Sequence, residues 1–323
     1  MKKILAVFMA FVTVLAVLCG CGGSAGQDAG REDAQEDGGK IRVVTTVFPL
    51  YDFTRQIAKD LADVSMLSGN GADLHNYQPS AEDIVKIAEC DLFIFIGGES
   101  EEWAEDVLAL NPREGRRVIC VMDEMRDELA LEETAEGMEA EDGEASYDEH
   151  VWLSLSSAQT ICGLIADALA GMDGAHASFY QDNERGYAEQ LAALDEEYRS
   201  AVEEASVRTL LFADRFPFRY LARDYGLEYY AAFSGCSAET EASFETIRFL
   251  AEKADELGLG TILQIEGSDG SIARTVRQNT RSADQQILTM DSLQSATAEE
   301  IAAGKTYLDT MRANLEVLRA ALS

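Results

Sequence analysis

Two short runs, Leu92-Phe-Ile-Phe-Ile96 and Val118-Ile-Cys-Val-Met122, constrain the fold more than any other feature of the chain. Each is apolar at every position and of strand length, so neither face of the strand can be turned to water. A strand buried on both faces needs helices above and below it, which is the arrangement of parallel sheets. Helical patterns alternate with strands as this requires. Residues 42–47 form a β-branched run that passes through Pro49 into Tyr51, Ile57, Ala58 and Leu61 at helical spacing. A second short strand, residues 64–67, enters a glycine-rich loop, and Ser80 with Asp83 three positions on starts the next helix.

The rhythm then repeats. Residues 156–170 read as a helix, and residues 209–213, 228–232, 261–265 and 286–290 as strands with helices between them. A closing helix is expected at 306–322. Between the two halves, residues 177–205 carry Tyr187, Leu191, Leu194 and Tyr198 on one stripe. A helix of that length spans roughly 43 Å, more than one compact half needs, so it is expected to join two lobes. The fold class is therefore α/β, with two lobes, each a mainly parallel sheet flanked by helices. Their expected limits are 41–173 and 206–323, with the linking helix in 174–205.

The first 40 residues stand apart. Lys2 and Lys3 precede an apolar run over residues 4–18, shorter than a bilayer span and suited to a secretory signal over residues 1–20. It ends in Leu18-Cys-Gly-Cys21, which resembles the bacterial lipobox and makes Cys21 the lipidation candidate, the alternative being an ordinary cleaved signal. Lipidation would hold the protein to the outer face of the cell membrane. Residues 22–40 contain no aromatic or branched aliphatic side chain and read as a flexible tether.

The 26 basic residues against 59 acidic ones give a net charge of -33, which excludes nucleic acid as a partner. Thirteen carboxylates crowd residues 123–149 against the single base Arg126, predicting a mobile acidic loop, either merely solvated or weakly collecting metal ions. Only three histidines are present. His75 follows a strand, and His150 stands where the acidic segment returns to regular chain; open α/β sheets bind ligands beyond the carboxyl ends of their strands. His176 lies in a polar turn and reads as a surface residue. Cys90, Cys120, Cys162 and Cys236 form no Cys-x-x-Cys pair; Cys120 and Cys162 sit in apolar stretches as packed thiols, and pairing stays open.

The stretches Val44-Thr-Thr-Val-Phe-Pro-Leu-Tyr-Asp-Phe-Thr54, Gly71-Ala-Asp-Leu-His-Asn-Tyr-Gln-Pro-Ser80, Ala88-Glu-Cys-Asp-Leu-Phe-Ile94, His150-Val-Trp-Leu153, Tyr220-Leu-Ala-Arg-Asp-Tyr-Gly-Leu227, Met290-Asp-Ser292 and Tyr307-Leu-Asp-Thr-Met311 occur in that order. Together they resemble the metal-binding solute-binding lipoproteins of zinc and manganese ABC transporters. The resemblance implies that the linking helix is rigid and that the metal sits in the cleft between the lobes. It also implies a monomer that binds without catalysis and passes its ion to a cognate permease.

The ligands it implies are His75, His150 and Asp291. A further ligand, His or Glu in that family, falls five residues before Tyr220, where this chain has Arg215, a permanent cation with no lone pair to give. Asp214 is the expected replacement, with Glu239, Glu241 and Cys236 as alternatives, or three protein ligands and a water. Two imidazoles with one or two carboxylates suit Zn²⁺, and Mn²⁺ less well. An exported metal-dependent hydrolase using the same two histidines is the competing class. Against it, the chain has no His-Glu-x-x-His, Gly-x-Ser-x-Gly or phosphate-loop motif.

Overall fold

The computed structural model describes residues 39–69, 71, 73–139, 146–237 and 241–323. The expectations for residues 1–38, Cys21 included, and for Glu239 lie outside them. Four strands, β1 (Ile41–Thr45), β2 (Ala62–Met66), β3 (Leu92–Phe95) and β4 (Arg117–Cys120), pair in parallel in the order β2-β1-β3-β4. Another four, β5 (Thr209–Phe216), β6 (Glu228–Ser234), β7 (Thr261–Ile265) and β8 (Gln286–Met290), repeat that pattern as β6-β5-β7-β8. In both sheets the chain reverses its direction of travel beside the first strand, which opens a crevice at the carboxyl ends.

The helices of the first half are α1 (Phe48–Ala58), α2 (Ala81–Glu89), α3 (Glu102–Leu110) and the short α4 (Val121–Glu124). Pro49 stands in the first turn of α1, where its missing N–H leaves no bond unmade. Ser80 and Asp83 form the expected reciprocal cap on α2. Two helices, α5 (Leu155–Met172) and α6 (Ala177–Glu203), lead to the second half, which carries α7 (Arg219–Tyr225), α8 (Phe244–Leu257), α9 (Ser271–Asn279), α10 (Ala298–Ala302) and α11 (Tyr307–Ala321).

The stripe Tyr187, Leu191, Leu194 and Tyr198 is the buried face of α6, a helix about 40 Å long. At one end the Asn183 amide donates to Ile57 O at 2.9 Å, and farther along the Tyr198 hydroxyl donates to Met311 O at 2.7 Å. The last helix closes the second half and also ties back to the first. Tyr307 packs edge-on against Phe53 at 4.7 Å, its N–H donates to Asp52 at 2.9 Å, and its hydroxyl donates to Trp152 O at 2.6 Å. One apolar core runs through α1, α5, α6 and α11 in consequence, and residues 40–323 form a single compact unit.

Two local expectations change. Val118 is 39 % exposed, because β4 is an edge strand and not a central one. The acidic segment is in large part attached, since its carboxylates find donors on the second half. Glu132 accepts from Cys236 N (3.0 Å), Glu139 from Ser243 N (2.6 Å), and Glu133 pairs with Arg219 (2.9 Å). Met138 is buried beside it, and Leu131 bridges to Tyr147; residues 140–145 lie outside the described chain.

Candidate metal centre

Both histidines are set by the same local device. In Asp73-Leu-His75 and in Asp148-Glu-His150, the aspartate two positions ahead accepts a hydrogen bond from the histidine backbone N–H, at 3.0 and 2.8 Å. This Asx-type turn fixes where the chain bends, and a short 3₁₀ turn contains His75 in the first case (Leu74–Asn76) and follows His150 in the second (Val151–Leu153). Asp148 does more, accepting also from His150 Nδ1 at 2.9 Å with the pair fully buried. His75 Nδ1 lies 2.7 Å from Ser100 Oγ and 3.8 Å from the Glu149 carboxylate. Glu149 is seated by Ser100 N–H (2.9 Å) and fills the space where a side chain on Gly98 would stand, at a positive φ of 82° that glycine adopts without strain.

With both Nδ1 atoms engaged, the two Nε2 atoms face each other at 3.2 Å. Gln294 Oε1 approaches His150 Nε2 at the same distance, delivered by Leu293, a buried residue in the left-handed region with φ 64°. Three polar atoms thus converge on one point, and where both rings carry their hydrogens on Nδ1 the Nε2 lone pairs that meet there attract a cation. Two nitrogens on a tetrahedral zinc with bonds of 2.0–2.1 Å stand about 3.3 Å apart. The observed spacing needs almost no adjustment.

The electrostatics agree with this reading. Burial, with His150 close by, holds His75 down to about 3, so it stays neutral across the physiological range. Burial also opposes protonation of His150, but the charge and hydrogen bond of Asp148 outweigh it and raise its pKa. In the metal-free protein a proton can occupy the point that the ion would take.

Cys236 is the third candidate donor. Its Sγ and the two imidazole nitrogens lie within 4.8 Å of one another, and among the described residues no other group of His, Cys, Asp and Glu converges so. Cys236 follows β6 in a turn packed so tightly on His150 that a Cβ on Gly235 would come within 3.3 Å of the ring and 2.9 Å of Phe216 O. Burial, then the carboxylates of Asp148, Glu132 and Glu149, push the free thiol up.

The expected carboxylates are not brought into this group. Asp214 lies on a bulge in β5, where pairing with β6 shifts register between Phe212 and Arg215. One of its oxygens accepts from Arg215 N (2.9 Å) and the other from Ile265 N on β7 (3.3 Å), so both are occupied by backbone donors. Asp291 is also engaged at both oxygens, by Leu293 N at 2.8 Å and by Lys305 Nζ at 2.6 Å. Glu241 lines an adjacent cleft cavity of about 570 Å³ with Asp73, Asp214 and Arg215. Arg215 itself reaches Asp73, the residue that caps the His75 turn, and donates to Ser237 O at 3.2 Å. His176 pairs with Asp173 on the surface, as a turn residue would.

Sequence reasoning did not identify Asp73, Asp148, Ser100, Glu149 or Gln294 as partners of the site. For the first two a signal existed, the shared Asp-x-His spacing; the others depend on pairings between distant segments.

The family model described as zinc-uptake complex component A, periplasmic, matches residues 43–321. The chain is 30% identical over 283 residues to the zinc-binding lipoprotein AdcA of Streptococcus pneumoniae, covering 87% of this chain but 56% of that protein, so it spans about half the length of such relatives. It is 29% identical to the high-affinity zinc uptake system protein ZnuA of Bacillus subtilis, covering 93% of each. The Zn(II)-bound ZnuA-like domain of S. pneumoniae AdcA superimposes with a TM-score of 0.72 at 29% identity, over 88% of this chain and 99% of that one.

Proposed function

The chain belongs to the family of component A of periplasmic zinc-uptake complexes, and on that footing we propose that it captures a divalent transition metal outside the cytoplasm and hands it to an ABC permease. Zinc is the favoured ion and manganese the second. The observation that carries the reading is the pair of buried imidazoles with Nε2 atoms 3.2 Å apart and both Nδ1 atoms engaged by oxygen partners. Outer partners of this kind fix the tautomer and orientation of metal-binding histidines. His75 and His150 are the proposed imidazole ligands. Asp291 can join them only by exchanging Lys305 for the ion, and Asp214 only by leaving the bulge it stabilises. Cys21 is the proposed lipid anchor, consistent with the lipoprotein name of the streptococcal relative.

A hydrolase would need a base aimed at a metal-bound water. The buried carboxylates nearest the imidazoles, Asp148 and Glu149, instead face the Nδ1 side of the rings. Equilibrium dialysis with elemental analysis tests the reading. One equivalent of zinc per chain is expected, lost in His75→Ala and in His150→Ala. A double variant that retains a full equivalent would refute it.

A further inference from the structure

We propose that Cys236 binds the captured ion as a thiolate, and that this donor makes the site select zinc over manganese. The inference rests on the reading that His75 and His150 hold the ion, and it names the discriminating group of that same site.

Three features support it. The sulfur already lies within 4.8 Å of both imidazole nitrogens, while a tetrahedral zinc with Zn–S about 2.3 Å and Zn–N about 2.0 Å sets N···S near 3.6 Å, so the closure needed is at most about 1.2 Å. The turn that carries Cys236 is pinned from two sides. Glu132 takes its N–H at 3.0 Å, and Arg215 holds the carbonyl of the next residue, Ser237, at 3.2 Å. Finally, the same guanidinium grips Asp73, so one side chain ties the Cys236 turn in the second half to the His75 turn in the first. Arg215 cannot be a ligand. It acts as a positioning residue, joining two ligand-bearing turns.

On binding, the ion replaces the thiol hydrogen: a sulfur–metal bond forms, the S–H bond breaks, and the proton leaves to solvent. No oxidant or reductant is involved. A soft thiolate favours zinc, whereas the carboxylate expected at this place would have moved the preference toward manganese.

The test uses cobalt(II) as a spectroscopic probe of the whole protein, followed by zinc and manganese titrations. The wild type should show the near-ultraviolet charge-transfer absorption of a thiolate–cobalt bond, and Cys236→Ser should lose it while still binding cobalt. In that variant zinc affinity should fall by more than the roughly 10–100-fold typical of outer-partner changes, and manganese affinity by less than zinc affinity. A wild type that binds cobalt through its histidines without the band would overturn the proposal and leave the metal-capture reading standing, as would a band that persists in Cys236→Ser. A wild type that binds neither cobalt nor zinc would overturn both. The wild-type spectrum requires no variant to fold, and metal-free melting curves check the serine protein.

Discussion

Asp148→Asn isolates what one outer carboxylate contributes to metal capture. The substitution is nearly isosteric, and the amide oxygen can still accept from His150 N and Nδ1, which lie 2.8 and 2.9 Å from the carboxylate now. What is lost is the negative charge beside a fully buried imidazole. Removing such a partner typically costs 10–100-fold in metal affinity, or about 1.4–2.8 kcal/mol. Competition titration against a chromophoric zinc chelator, above neutral pH, should therefore place the variant one to two decades weaker, with an unchanged metal-free circular dichroism spectrum.

The pH dependence gives a second readout with a defined sign. The raised pKa of His150 means that acid protonates this ligand early, and below that pKa zinc must displace the proton at a cost of about tenfold in affinity per pH unit. Asparagine removes the group that raises the pKa, so in the variant this competition begins at lower pH. The ratio of wild-type to variant affinity should thus narrow on acidification. A ratio within twofold of unity above neutral pH, or one that widens as pH falls, would refute the account of Asp148 as an electrostatic partner of the ligand.

Other expectations follow from the frame around the site. Tyr198→Phe deletes a second hydrogen bond to Met311 O, a carbonyl inside α11, and should cost about 0.5–1.5 kcal/mol in urea denaturation, without changing zinc stoichiometry. Burial raises the Asp52 pKa despite the bonds from Tyr307 N and Gln56, so its ionisation as pH rises through the folded value destabilises the native state; Asp52→Asn should gain stability relative to wild type at neutral pH and lose that advantage in acid. Excising residues 140–145 should leave zinc affinity intact, since Glu132 and Glu139, which hold the second half, lie before the cut. Cys21→Ser should move the protein from the membrane fraction to the medium or periplasm; retention in membranes would argue against the anchor.

Much of the fold was legible because burial on both faces leaves a plain mark. The runs at residues 92–96 and 261–265 become β3 and β7, and the stripe from Tyr187 to Tyr198 becomes the buried face of α6. The return of α11 to the first half was not legible: an amphipathic helix shows that it has a partner and not which one. The acidic segment misled for a related reason. Like charges within a run repel one another, but Ser243 N, Cys236 N and Arg219 come from residues distant in the chain, and only their placement turns that repulsion into attachment. At the site, the two histidines could be picked out by position, whereas the fate of Asp214 hinged on a bulge that no residue pattern announces.

The placement of Arg215 follows from the same geometry. The bulge within β5 lets the chain direct Asp214 to the backbone of β7 and Arg215 into the cleft, and the reverse would take from the Ile265 N–H its Asp214 acceptor. Once a cation occupies the cleft, it needs an anionic partner on the opposite wall, and Asp73 is there because it already caps the His75 turn. The ion pair neutralises one charge of each sign beside the donor group, which lets a dication approach a partly buried site without meeting an unpaired guanidinium. The first half thus contributes both imidazoles through one repeated turn, and the second contributes the clamp and the thiol. Substitutions in Asp73-Leu-His75 or Asp148-Glu-His150 should therefore weaken every metal, and those at Cys236 should change which metal is held.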